Sequence, residues 1–98
     1  QAKKCDGMEG LLKEADSMLQ ETQPGAVRDA AIIAAAQKVE HYEITSYGTL
    51  ATFAKELGED EALTQLLEIL EEEKKCDELL TELAKGGINK EAAGEEEK

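Results

Sequence analysis

From about Ala26 to Leu57, apolar residues recur at alternating steps of three and four, a spacing that predicts one long helix. Its core-facing seam reads Ile33, Ala36, Glu40, Glu43, Tyr47, Leu50, Ala54, Leu57. The ends of the seam are apolar, and the middle is two carboxylates and a phenol. An unpaired carboxylate is costly to bury, so a seam interrupted this way calls for a cation, a proton or a partner at that level.

A shorter helical pattern precedes this one, from about Asp6 to Gln20. Met8, Leu11, Leu12, Ala15, Met18 and Leu19 lie on one face. Asp6 is placed to act as the N-cap, with Glu9 three residues on as its capping-box partner. Gly7 and Gly10 weaken the first turn. Pro24 and Gly25 break the pattern. The long helix that follows would span about 45–50 Å. Ala30 to Ala36 is a run of small side chains that lets another helix approach closely. Gly58 ends the helix as a C-cap residue.

A third helix is predicted from about Asp60 to Ala84, with Glu59 and Asp60 favouring its N-terminus. Its seam is Leu63, Leu66, Leu70, Glu73, Asp77, Leu80, Ala84, again acidic in the middle. The connection at Gly58–Glu59 is short, so the second and third helices should run antiparallel. Folding at Gly58 brings Glu43 opposite a position near Glu73, and the two acidic interruptions meet at one height. Residues 1–85 are expected to form the helical domain. Residues 86–98, without periodicity, are expected to be a disordered acidic tail.

Composition narrows the partners. The chain has 98 residues, 41% hydrophobic and 35% charged, which suits one small amphipathic helical domain. So short a chain buries a modest core, which favours association with another copy. A net charge of −12 repels a phosphate backbone and an anionic membrane surface, and 3% aromatics is too little for base stacking. Nucleic acid and membranes are therefore not expected as partners. The two cysteines, Cys5 and Cys76, have no metal-binding spacing. With no long apolar run or signal peptide, they point to a reducing, cytoplasmic setting. The chain begins with Gln1 rather than Met, as a processed form, a fragment or a chain missing its upstream part would.

Carboxylates on facing helices of a bundle are how dinuclear iron or manganese sites are built. Here Glu40 and Glu43 come from one helix and Glu73 and Asp77 from the next, and hard oxygen ligands suit iron, manganese or magnesium. A Glu-x-x-His pair is missing. His41 lies about 100° around the helix from Glu40, which favours a surface or supporting role over ligation. A second reading treats Glu71 to Lys75 as a solvated charge run with Glu40 and Glu43 at its rim. Tyr42 and Tyr47 fit interface or core positions, and Cys76 a small semi-buried one.

Two strings carry a resemblance: Ala-Ala-Gln-Lys-Val-Glu-His-Tyr-Glu-Ile-Thr-Ser-Tyr-Gly-Thr-Leu50 and Leu-Glu-Glu-Glu-Lys-Lys-Cys-Asp77. With Cys5-Asp-Gly-Met-Glu-Gly-Leu11 and Arg28-Asp-Ala-Ala-Ile-Ile33, they resemble the bacterial YciE/YciF family of ferritin-like proteins over about residues 3 to 85. The resemblance implies an all-α, ferritin-like four-helix bundle with a dinuclear iron or manganese site, a link to stress response, and a dimer. Family members carry two further helices upstream, which hold the other carboxylates. This chain would supply half a bundle, a long antiparallel hairpin plus a short N-terminal helix, completed by a second copy or by missing upstream helices. The metal ligands implied are Glu43 and Glu73 first, then Glu40, Glu72, Asp77 and His41.

Two functions follow. One is a ferritin-like metal protein of the stress response, with the question of turnover left open. The other is a non-catalytic helical stress or structural protein that acts through oligomerisation.

Overall fold

The computed structural model describes residues 3–96. Three helices form the body: α1 (Asp6–Glu21), α2 (Ala26–Leu57) and α3 (Asp60–Leu83). A π-helical turn, Ala84–Ile88, leads into α4 (Asn89–Glu96). The all-α class and the long antiparallel hairpin are as the seam pattern predicts, and α2 starts and stops where its sequence signals fall. Gly58 closes α2 at φ 71° and ψ 22°, with its N–H directed to the carbonyls of Ala54 and Lys55. Only glycine takes that left-handed turn at little cost.

α2 is the axis of the fold, because α1, α3 and α4 all pack on it and α1 does not touch α3. The shortest principal extent is 13 Å, little more than a helix diameter of about 10–12 Å. The helices therefore lie abreast in a single layer. The radius of gyration is 16.9 Å, against about 13 Å for a compact domain of this length. The accessible surface is 7284 Å², where a globular monomer of this mass would show about 5,500 Å². Among the described residues only Ile33, Ala51 and Ala54 are buried.

Two seam positions depart from expectation. Leu50 and Leu57 are 47% and 75% exposed, while Ala51 takes the inward position beside Ala54. A seam traced at 3.5 residues per turn drifts about 20° per heptad on a straight helix. Over the distance from Ile33 to Leu57 that drift carries the leucines off the contact line.

The ends of the chain also differ. Cys5, not Asp6, is the N-cap of α1, and no side chain caps it. The capping box does not form because Glu9 pairs with Lys4 at 3.0 Å and Lys13 at 3.2 Å. Residues 86–98, expected to be a disordered tail, are helical as far as Glu96, and Glu97 and Lys98 lie outside the described residues. A kink at Gly87, φ 150°, turns α4 back onto α2. There Glu95 Oε2 accepts the N–H of Val27 at 2.9 Å. That N–H is one of the orphan donors of the first turn of α2, so a carboxylate from the far end of the chain acts as its cap. Gly25 makes room for it, since a Cβ there would fall 2.5 Å from Glu95 Oε1.

Candidate metal centre

α2 places Glu40 and Glu43 one turn apart, and the Gly58 turn sets α3 antiparallel beside them with Glu73 at the same height. One carboxylate oxygen from each of Glu40, Glu43 and Glu73 lies within 4.8 Å of the others. All three side chains are half-buried. Glu40 Oε2 is shut off from solvent and has no hydrogen-bond partner. Three convergent carboxylates, one of them with an orphaned buried oxygen, are a donor set for a cation, and oxygen donors fit a hard or borderline divalent metal.

Without a cation, protons take up the charge. The Glu43 carboxyl is raised above the ordinary carboxylate range, first by its hydrogen bond to Glu73, then by desolvation and the Glu73 charge. Glu73 is raised in turn, first by its hydrogen bond to Glu40 and then by desolvation. Each of the two carboxyls thus holds its proton more tightly because it faces another carboxylate in a partly desolvated place. Cys76 stands nearby. Desolvation, with the Glu40 charge, pushes its thiol up and holds it as a neutral thiol rather than a thiolate ligand.

The other expected ligands sit elsewhere. Asp77 lies one turn beyond Glu73, where its Oδ1 meets His41 Nε2 at 2.8 Å. Gln37 Nε2 donates to the same oxygen at 3.4 Å and to Thr81 Oγ1 at 2.7 Å. His41 and Asp77 thus form a polar clasp between α2 and α3 beside the three glutamates. Glu72 is exposed and acts on Glu73 only through its charge.

Two features escaped the sequence reading. The seam pattern gives Gln37 no role, although its place one turn before His41 marks it as a clasp residue. Tyr42 Oη lies 3.0 Å from Cys5 Sγ, and a Cβ on Gly7 would stand 2.7 Å from the Tyr42 ring. Gly7 therefore seats Tyr42 against the first turn of α1 rather than merely weakening it. Tyr42 holds the Cys5 thiol below its ordinary range, helped by the N–H of Met8.

The fold and the cluster define a class: a bundle-type helical hairpin with a carboxylate level across its middle. Residues 1–93 match the family described as a domain of unknown function, DUF892. Over 89 residues, 91% of this chain, the sequence is 58% identical to Protein YciF of Escherichia coli (strain K12), of which it spans 54%. The crystal structure of the E. coli stress protein YciF superposes with a TM-score of 0.86 at 57% identity, covering 92% of this chain and 57% of that one. YcfI of Rhodopseudomonas palustris, put forward as a structural protein, superposes with a TM-score of 0.79 at 46% identity, covering 83% of this chain and 52% of its own. The chain belongs to the DUF892 family, in its YciE/YciF group, and spans about half the length of these relatives. Among the described residues, no helix is long and apolar enough to cross a membrane.

Proposed function

We propose that the glutamate level of this chain is one half of a dinuclear iron or manganese site, in a protein of the bacterial stress response. The observation that carries the reading is the convergence of Glu40, Glu43 and Glu73 within 4.8 Å, where Glu40 also carries a buried, unpartnered Oε2. Bound iron or manganese supplies Lewis acidity and one-electron chemistry. The chain's own residues hold and orient: Glu43 and Glu73 face each other across the two helices, and Glu40 offers its free oxygen. His41 and Asp77 fix the register of α2 against α3 one turn away. Three carboxylates are too few for two ions. The remaining donors come from a second copy of the chain or from the part of the longer relatives that this chain does not span.

The test is the metal content of the purified protein, measured with manganese or ferrous iron supplied in excess and then removed by gel filtration. Retained metal in the wild type, lost in Glu43→Ala with helicity intact, supports the site. Equal retention in both removes it.

A second reading has its own support. Large apolar side chains such as Phe53, at 57% exposed, and Leu79, at 60%, stand open on this layer, and the relative YcfI has been put forward as structural. Here the chain acts by assembling, and the glutamates set register. Wild-type protein that retains no metal yet assembles as Glu43→Ala does would favour this second reading.

A further inference from the structure

We infer a second, metal-independent ligand site, a slot between α1 and α2 that takes a single-chain fatty carboxylate. The two helices run antiparallel, as the Glu14–Lys38 ion pair at 3.5 Å and the Cys5–Tyr42 contact at 3.0 Å show. Between them lies a cavity of about 240 Å³, walled by Leu12, Leu19, Ile32, Ala35 and Val39. The small side chains at Ala31, Ala35 and Ala36 hollow the α2 wall. The slot follows α2 from Arg28 to Val39, about 16 Å along the axis.

Its polarity is one-sided. The walls are aliphatic throughout, and the polar residues Thr22 and Arg28 both sit at the end nearest the α1–α2 turn. Thr22 Oγ1 is already committed to the carbonyl of Met18 at 2.7 Å. Arg28 is not committed. Its Nε is buried and without a partner, and among the described residues the guanidinium makes no ion pair. Glu95, on α4, directs its Oε2 to the N–H of Val27 and not to Arg28. A buried, unpaired guanidinium N–H is costly and favours an anion at that end.

Size and charge select the occupant. An apolar cavity of about 150 Å³ already admits benzene, so 240 Å³ holds a chain of medium length. A chain of net charge −12 is repelled by an anionic bilayer, which argues for a free fatty acid over a lipid headgroup in a membrane. The ligand would lay its tail along the aliphatic walls and its carboxylate on Arg28.

The experiment titrates the whole polypeptide with decanoate, with decanol and decyltrimethylammonium as matched controls, by calorimetry and by NMR of the wall methyl groups. Decanoate should bind once per chain and shift the methyls of Leu19 and Ile32. Its affinity should exceed that of either control by about tenfold or more, the scale of a hydrogen bond to a charged group. Arg28→Gln should remove that preference while leaving decanol unchanged. Ala35→Leu, which fills the slot, should abolish binding of both, and circular dichroism of the two variants confirms that each is folded. Equal binding of decanoate and decanol, an unaffected Arg28→Gln, or wall shifts that track dimerisation instead of ligand would each overturn the site. Binding that persists after Glu43→Ala keeps this inference separate from the metal reading.

Discussion

Replacing Glu43 by glutamine should stabilise the metal-free protein at neutral and alkaline pH, and only there. Three carboxylates with facing oxygens within 4.8 Å repel one another when ionised. At 4.8 Å and an effective dielectric of about 20, one pair of bare charges repels by about 3.5 kcal/mol. Water and salt reach these half-buried groups, which lowers the figure to about 1 kcal/mol per pair. Glu43→Gln removes two such pairs, and its amide can still donate to Glu73. The gain is about 1–2 kcal/mol, or about 5–15 °C in melting temperature for a domain of this size. The sign follows from linkage. Glu43 and Glu73 hold their protons more tightly folded than unfolded. The stability tied to those protons is complete below the ordinary carboxylate range and is lost as pH rises through the raised values. Wild type and variant should therefore melt alike near pH 4 and diverge by pH 8. Manganese at a hundredfold excess over its dissociation constant should add about 2.7 kcal/mol to the wild type, and much less to the variant. Melts followed by circular dichroism in EDTA and in manganese, at one fixed protein concentration, give all four numbers. A metal-free variant that melts at or below the wild type at pH 8 would refute the reasoning.

Gly58→Ala places a Cβ in open space but at φ 71°, so its cost is conformational alone, about 1–2 kcal/mol. Chemical denaturation should report that loss, and an unchanged midpoint would mean the α2–α3 turn can re-form another way. Cys5, held low by Tyr42, should react with iodoacetamide at pH 7.5 faster than Cys76, which desolvation and the Glu40 charge hold high. Tyr42→Phe and Gly7→Ala should each slow Cys5 in a peptide-mapped time course, and rates indifferent to both changes would dissolve the Cys5–Tyr42 contact.

The parts of this fold legible in sequence are those fixed by local signals. Pro24 and Gly25 open α2, Gly58 closes it, and the two-residue connection Gly58–Glu59 leaves α3 only an antiparallel course. From that register alone Glu43 and Glu73 must come level, and the structure brings their carboxylate oxygens within 4.8 Å of each other. Contacts that no turn fixes stay hidden. Glu95 reaches Val27 across 68 positions and Cys5 reaches Tyr42 across 37. Each depends on a glycine that local propensity reads only as a helix breaker. The Asp6–Glu9 capping box failed for a related reason. Lys4 and Lys13 offered Glu9 opposite charges, and the backbone N–H it was assigned offered none. The six expected ligands divided by helix face and by height: His41 and Glu72 stand beside Glu40 and Glu73 in sequence but on exposed faces, and Asp77 lies a full turn past Glu73, where it meets His41 and Gln37.

Assembly and metal binding should be coupled, and the flatness of the layer says why. The surface of 7284 Å² exceeds the value for a globular monomer by about 1,800 Å². A standard interface buries about 1,600 Å² over both partners, so this chain alone exposes an excess of obligate-dimer size. A two-fold pair of hairpins would cover it and bring a second Glu40, Glu43 and Glu73 toward the first. Covering the glutamate level also removes water from it, which raises the cost of every charge held there. The paired state must then bind protons or a divalent ion more tightly than the single layer does. By reciprocity, the ion must tighten pairing by the same factor. Sedimentation of the wild type at pH 7.5 should show manganese lowering the dimer dissociation constant. Glu43→Gln should lower it without metal and cancel most of the manganese effect. A cooperatively folded monomer of about 10.6 kDa, indifferent to manganese and without a second chain in its intact mass spectrum, would show that neither the pairing nor the coupling exists.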